Sequence, residues 1–237
     1  MKGLIVMVLL TATVWGVHKF ARPYWVPAYQ KVVGKNTVSD IKQEYGLSAQ
    51  QRLKPFFEKA GVNYPPESIT LLAIKDQKLL ELWAHSQGQR FYIRTYPIKA
   101  ASGNAGPKLR EGDRQVPEGI YQLEYLNPNS SYHLSMKINY PNAFDLKHAK
   151  SEGRTQPGTN IFIHGKAVSI GCLAMGDRAI EELFDLTSTI GLKNVEVVIA
   201  PSDPRKVDIL SLANDKPEWV SQLYRSLNRY FSDFNHS

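Results

Sequence analysis

The spacing of apolar and polar positions changes character near residue 68. Before it the period is helical. Ser39 heads a short helix over residues 40–45, and a second runs over 47–60, closed by Gly61, with Pro55 expected to kink it or end its first part. Residues 18–37 carry Pro23, Pro27, Gly34 and Asn36 without any period and read as a linker, and Tyr64-Pro65-Pro66 is a natural boundary. From Ser68 the period shortens to two. Residues 69–74 and 79–84 flank Lys75-Asp76-Gln77-Lys78 as a hairpin, and further strands are predicted at 90–96, 120–125, 135–139, 161–163 and 195–200. Residues 145–160 form a long polar segment. A helix is predicted over 176–186 with Ile180, Leu183, Phe184 and Leu186 on or near one face. Another over 217–234 carries Trp219, Leu223, Leu227, Tyr230 and Phe234 as its apolar stripe. Strands in succession, without βαβ alternation, predict a mainly β or α+β domain at 68–201 with a helical extension at 202–237.

The first residues follow different rules. After Met1-Lys2, residues 3–17 are uncharged and apolar. That run has the length of the hydrophobic part of a secretory signal and falls short of the roughly 20 residues a membrane span needs. No small-x-small cleavage site follows, so an export signal able to stay as an inner-membrane anchor is expected at 1–17. Trp15, Tyr24 and Trp25 would be available to the membrane interface, and a linker and helical appendage would occupy 18–67.

Composition narrows the partners. The 237 residues are 43% hydrophobic, which supports a real core, and carry a net charge of +7 with a pI near 9.3. The charge favours an anionic partner. It does not point to nucleic acid, because the basic residues are spread along the chain and neither a zinc-finger spacing nor an RNA-binding aromatic motif occurs. The one cysteine, Cys172, excludes an internal disulfide, and an exported lone thiol is a liability unless its chemistry is used.

That thiol lies in the most informative stretch, residues 161–175. Three β-formers lead into His164-Gly165, and Cys172 follows eight residues later, shortly before the predicted helix. A thiol near an imidazole is the minimum for nucleophilic catalysis, and an imidazole partner and a helix start both lower a thiol pKa. Gly165, Gly171 and Gly176 allow backbone to pack closely and aim amides at an oxyanion, and Ser169 can orient the turn. The plain alternative makes Cys172 a small buried hydrophobe and His164 a satisfied strand-end residue. A metal site assembled from His133, His148, His164 and Asp145 is the chemical rival, without HExxH or paired CxxC spacing to support it, so no metal or cofactor is expected.

His164-Gly165 followed by Ser169-Ile170-Gly171-Cys172-Leu173-Ala174-Met175 resembles the active-site signature of L,D-transpeptidase catalytic (YkuD) domains, and Val116-Pro117-Glu118-Gly119-Ile120-Tyr121 is similar to a strand motif of that family. The resemblance spans about residues 68–200. It implies a YkuD-like β-sandwich and a periplasmic cysteine acyltransferase acting on peptidoglycan stem peptides at meso-diaminopimelate, forming crosslinks or hydrolysing them. By position, Cys172 would be the nucleophile and His164 the base, with Ser169 supporting the site and the Gly171 and Cys172 backbone near the oxyanion.

Three departures mark a divergent member. Ile170 replaces the motif's second histidine, Ala174 replaces its arginine, and the loop before the cysteine is short. These features, with Gly106-Pro107-Lys108, Gly112-Asp113 and Tyr140-Pro141-Asn142-Ala143-Phe144-Asp145, resemble a YafK-type branch. That branch implies hydrolysis of lipoprotein–murein links as a further possibility. Without the arginine, Lys108, Arg110, Arg114 or Lys166 are the candidates for a substrate carboxylate, and Gly165 and Tyr140 complete the expected binding set. The competing reading is a non-catalytic murein- or partner-binding module that keeps the fold.

Overall fold

The computed structural model describes Thr13 and residues 21–235, the side chains of Pro23 and Val33 excepted. The apolar run and Trp15 lie outside the described residues. No helix among those described is long and apolar enough to cross a membrane.

Among the described residues, seven strands form close to the predicted positions, β1 (Ser68–Ile74), β2 (Leu79–Ser86), β3 (Gln89–Pro97), β4 (Gly119–Ser130), β5 (His133–Ile138), β6 (Phe162–His164) and β8 (Val195–Ala200), and an unpredicted short one, β7 (Leu173–Ala174), forms where β6 offers it a partner. Their hydrogen-bonded order is β3-β2-β1-β8-β4-β5-β6-β7. The β1–β8 and β6–β7 pairs are parallel and the others antiparallel. Strand β4 serves two sheets. Gly119 to Gln122 pair with β8, while from Leu123 onward the strand pairs with β5 through register shifts at Leu123/Tyr125 and Asn127/Ser130. Such irregularities bend a strand and raise its twist, which lets β4 pass from one sheet into the next.

Both sheets feed one core. Leu71, Leu82, Tyr96 and Val197 from the first meet Met136, Ile138, Ile163 and Leu173 from the second, with α5 (Asp177–Ile190) contributing Ile180, Leu183 and Phe184. The opposite face of the first sheet is covered too. Leu72, Ile74, Trp83 and Val198 pack against Val220, Leu223, Tyr224, Leu227 and Phe231 of α6 (Trp219–Phe231). Burial on both faces explains why β1 is an unbroken apolar run rather than an alternating one.

The helices bring four corrections. The stretch read as a linker contains α1 (Arg22–Val33), with a proline in its first turn, where the missing N–H costs nothing. It is tied down by Arg22 Nε donating to Ser131 O at 2.7 Å and Gln30 Nε2 to Asn129 O at 3.0 Å, contacts 109 and 99 residues distant in sequence. Thr37, not Ser39, caps the next helix, in a reciprocal box with Asp40 at the start of α2 (Val38–Ile41). That helix continues through a π-turn (Lys42–Gly46) into α3 (Leu47–Lys59), and Pro55 does not end it, because Leu53 and Phe57 on either side anchor it in the main core. Finally, the polar segment holds α4 (Ala143–Ser151), begun by an Asn142–Asp145 capping box.

Candidate active site

The pairing of β6 with β7 sets Ile163 beside Leu173 and His164 beside Ala174. Ile163 and Leu173 point into the core. Successive residues of a strand face opposite ways, so Phe162, His164 and Cys172 turn to the outer face. There they line a cleft of about 340 Å³ together with Ser169, Tyr132 and Asn160. The paired strands therefore bring the two residues singled out by chemistry into one cavity.

His164 is held in a defined state. Its Nδ1 lies 2.6 Å from Gly165 O, and since a carbonyl can only accept, Nδ1 carries the hydrogen and Nε2 keeps its lone pair. The Tyr132 ring lies against the imidazole, centroids 4.8 Å apart. Burial pushes the imidazole pKa down, with the Gly165 carbonyl opposing, so the ring is a neutral base at neutral pH.

Cys172 is half-buried, its Sγ 3.9 Å from Asn160 O. Burial pushes its thiol up, against the Phe162 backbone and the Lys108 charge, which pull it down. The expected lowering by a helix start does not operate, because β7 intervenes and α5 begins only at Asp177. The resting cleft thus holds a neutral thiol and a neutral imidazole.

Ser169 fastens the turn that carries Cys172. Its Oγ donates to Cys172 O at 2.5 Å and accepts from Cys172 N at 3.0 Å. Gly171, at φ +84, donates its N–H to Ser102 Oγ at 2.7 Å, and Ser102 donates in turn to Arg114 O at 2.7 Å. The two amides expected to face an oxyanion are therefore both engaged by serine hydroxyls in this arrangement.

Most of the expected binding residues look inward. Lys108 is buried, its Nζ donating to Asp113 Oδ1 at 2.6 Å and Arg110 O at 2.9 Å. Buried Tyr140 gives its hydroxyl to Lys108 O and Pro157 O. Lys166 is locked to Asp177 by its amide at 2.8 Å and its ammonium at 2.5 Å. Gly165 has no room for a side chain: a Cβ there would meet Tyr132 O at 2.6 Å and Asp177 Oδ1 at 2.8 Å. None of the four is among the residues lining the cleft, and their polar groups are engaged elsewhere. Arg110 and Arg114 are exposed on the same loop, and Arg114 abuts the Cys172 turn, its Cα 4.0 Å from where a Gly171 Cβ would lie.

The residues of the metal alternative are scattered. His133 meets Glu181 at 3.0 Å, His148 stacks on Trp219, and Asp145 accepts from Asn142 N at 3.0 Å. Among the described residues no three potential ligands gather to hold a metal. Sequence reasoning missed Ser102, Tyr132 and Asn160. Ser102 is 69 residues from its partner and carries no local signal.

Comparison with known proteins gives this geometry its family. The "Putative L,D-transpeptidase YafK" of Escherichia coli strain K12 is 36% identical over 132 residues, which cover 54% of this chain and 51% of that one. The chain thus matches about half the length of that curated relative. Two solved structures share looser likeness: the helical cell shape determining protein Pgp2 of Campylobacter jejuni (18% identity, 77% of each chain, TM-score 0.47) and Bd1075 of Bdellovibrio bacteriovorus (23% identity, 70% of this chain and 56% of that one, TM-score 0.42). The profile of the L,D-transpeptidase catalytic domain matches residues 68–204, more than half of the sequence, and the chain belongs to the YkuD family.

Proposed function

We propose that this chain is an exported cysteine enzyme acting on peptidoglycan stem peptides. The supporting observation is the shared cleft of Cys172 and His164, with Nδ1 engaged by Gly165 O. Because both groups rest neutral, the proton moves during attack and not before it. His164 Nε2 takes the Sγ proton as sulfur bonds to the carbonyl at the L-centre of meso-diaminopimelate. The imidazolium then returns that proton to the departing amine as the C–N bond breaks, leaving a thioester. An incoming amine makes a crosslink or attaches a protein, whereas water releases the peptide or a murein-linked lipoprotein. Ser169 holds Cys172 in place, and the exposed Arg110 and Arg114 are the cations available to a substrate carboxylate.

Defined muropeptides with and without an amine acceptor test the reading, products being followed by mass. New crosslinks establish transfer and cleaved products alone establish hydrolysis. Absence of both, with a thiol unreactive toward alkylating reagents, contradicts an enzyme and supports a binding module.

A further inference from the structure

Helix α1 has two unlike sides. At 100° per residue Arg22, Val26 and Gln30 share one side. Arg22 and Gln30 hydrogen-bond the β4–β5 turn, and Val26 is buried. The other side presents a continuous apolar arc of Tyr24, Ala28, Val32, Trp25 and Tyr29. Tyr24, Tyr29 and Val32 are 83%, 57% and 87% exposed, among the most exposed large hydrophobic residues described. Lys31 borders the arc and Lys35 follows the helix.

An apolar arc rich in tyrosine and tryptophan and bordered by lysines suits the headgroup layer of an anionic bilayer, where ring faces meet the acyl boundary and ammonium groups meet phosphate. A bilayer is also the occupant that the chain itself brings near. The uncharged run of residues 3–17 ends five residues before Arg22, and the whole chain is basic.

We propose that α1 is an interfacial helix that docks on an anionic phospholipid surface. Its anchors, Asn129 O and Ser131 O, belong to the turn whose Ser130 and Ser131 line the cleft. Docking through α1 therefore holds the cleft's rim at the bilayer. The inference stands apart from the cysteine chemistry, and its test uses an inactive chain.

The full chain carrying Cys172→Ala receives an environment-sensitive fluorophore at Val32→Cys, or, as a control, at Leu47→Cys, an exposed apolar position on α3 (72% exposed). Vesicles of phosphatidylglycerol and phosphatidylethanolamine, one to three, carry spin labels at a shallow acyl position. The expected result is a blue shift and lipid quenching at position 32 and neither at position 47. Adding Lys31→Ser and Lys35→Ser should lower the vesicle partition constant read at position 32 by about fivefold for each lysine. Water-like, unquenched emission at 32 would overturn the proposal, whether or not the chain binds vesicles. So would a blue shift without lipid quenching, which would mean that residues 1–20 or a second copy cover the arc.

Discussion

The two ends of β4 lie in contrasting surroundings. At its start, polar groups are matched inside the protein. Buried Glu118 accepts from Lys75 Nζ at 2.8 Å, Gly106 N at 2.7 Å and Tyr224 OH at 2.8 Å, fastening the 103–118 loop and α6 to the first sheet. On the same sheet Arg205 bonds Glu81 of β2, Asp203 and the Phe234 carbonyl, tying down the chain just after α6. Toward its other end, β4 borders the cleft, where His164 Nδ1 is committed to Gly165 O and the thiol makes a long 3.9 Å contact with Asn160 O. Completed polar networks give rigidity, and incomplete ones leave groups for chemistry. The contrast assigns stability to the first sheet and reactivity to the second.

Glu118→Ala should break it most severely, on the stability side. Removing one member of a buried pair strands Lys75, at a cost of about 3–5 kcal/mol. For a chain of this size that lowers Tm by roughly 10 °C, readable by calorimetry. Ser169→Ala attacks the other side. Loosening the nucleophile's turn should lower kcat about 10²-fold, as misplacement by about 1 Å does, with Tm changed by only a few degrees. A comparable loss of Tm would mean that the turn is part of the stability framework.

Asp145 sharpens the comparison through pH. Burial raises its carboxyl to about 6, opposed by bonds from Asn142 and Tyr121. A carboxyl raised on folding binds its proton more tightly in the native state, so its contribution is greatest below the unfolded value and is lost as pH climbs through about 6. Asp145→Asn keeps an oxygen for the cap and removes the charge. It should flatten the stability decline between about pH 4 and 6 and add on the order of 2 kcal/mol at pH 8, measured by denaturant titration. The smallest expected effect concerns the thiol. Because burial raises Cys172, its alkylation should climb with pH beyond the range of an ordinary thiol in the free enzyme. A plateau already reached near neutrality would indicate a preformed thiolate and refute the neutral resting pair.

Much of this was legible in the chain. Strands with strict alternation or buried runs, such as residues 69–74 and 195–200, declared themselves, as did α6 with its apolar stripe. That His164 and Cys172 line one cleft follows from a strand end and a turn only eight residues apart. Features set by distant contacts were not. Helix α1 is stabilised by carbonyls about a hundred residues away, against two prolines. Helix α4 lacks an apolar stripe, so its residues read as a polar segment, and only the Asn142–Asp145 box could have marked its start. Lys108 looked like a free cation, but Asp113, five residues on, turns it inward. The thiol's environment followed from how deeply the cleft buries it, which local spacing does not encode.

In the proposed reaction Cys172 attacks with His164 as its base. Intact-protein mass spectrometry during a single turnover with a defined muropeptide tests it most directly. A peptidyl adduct on Cys172 should appear, vanish in Cys172→Ala, and form at least about 10³-fold more slowly in His164→Ala, each variant remaining folded. An adduct forming undiminished without His164, or none in the unaltered folded protein, would contradict the account.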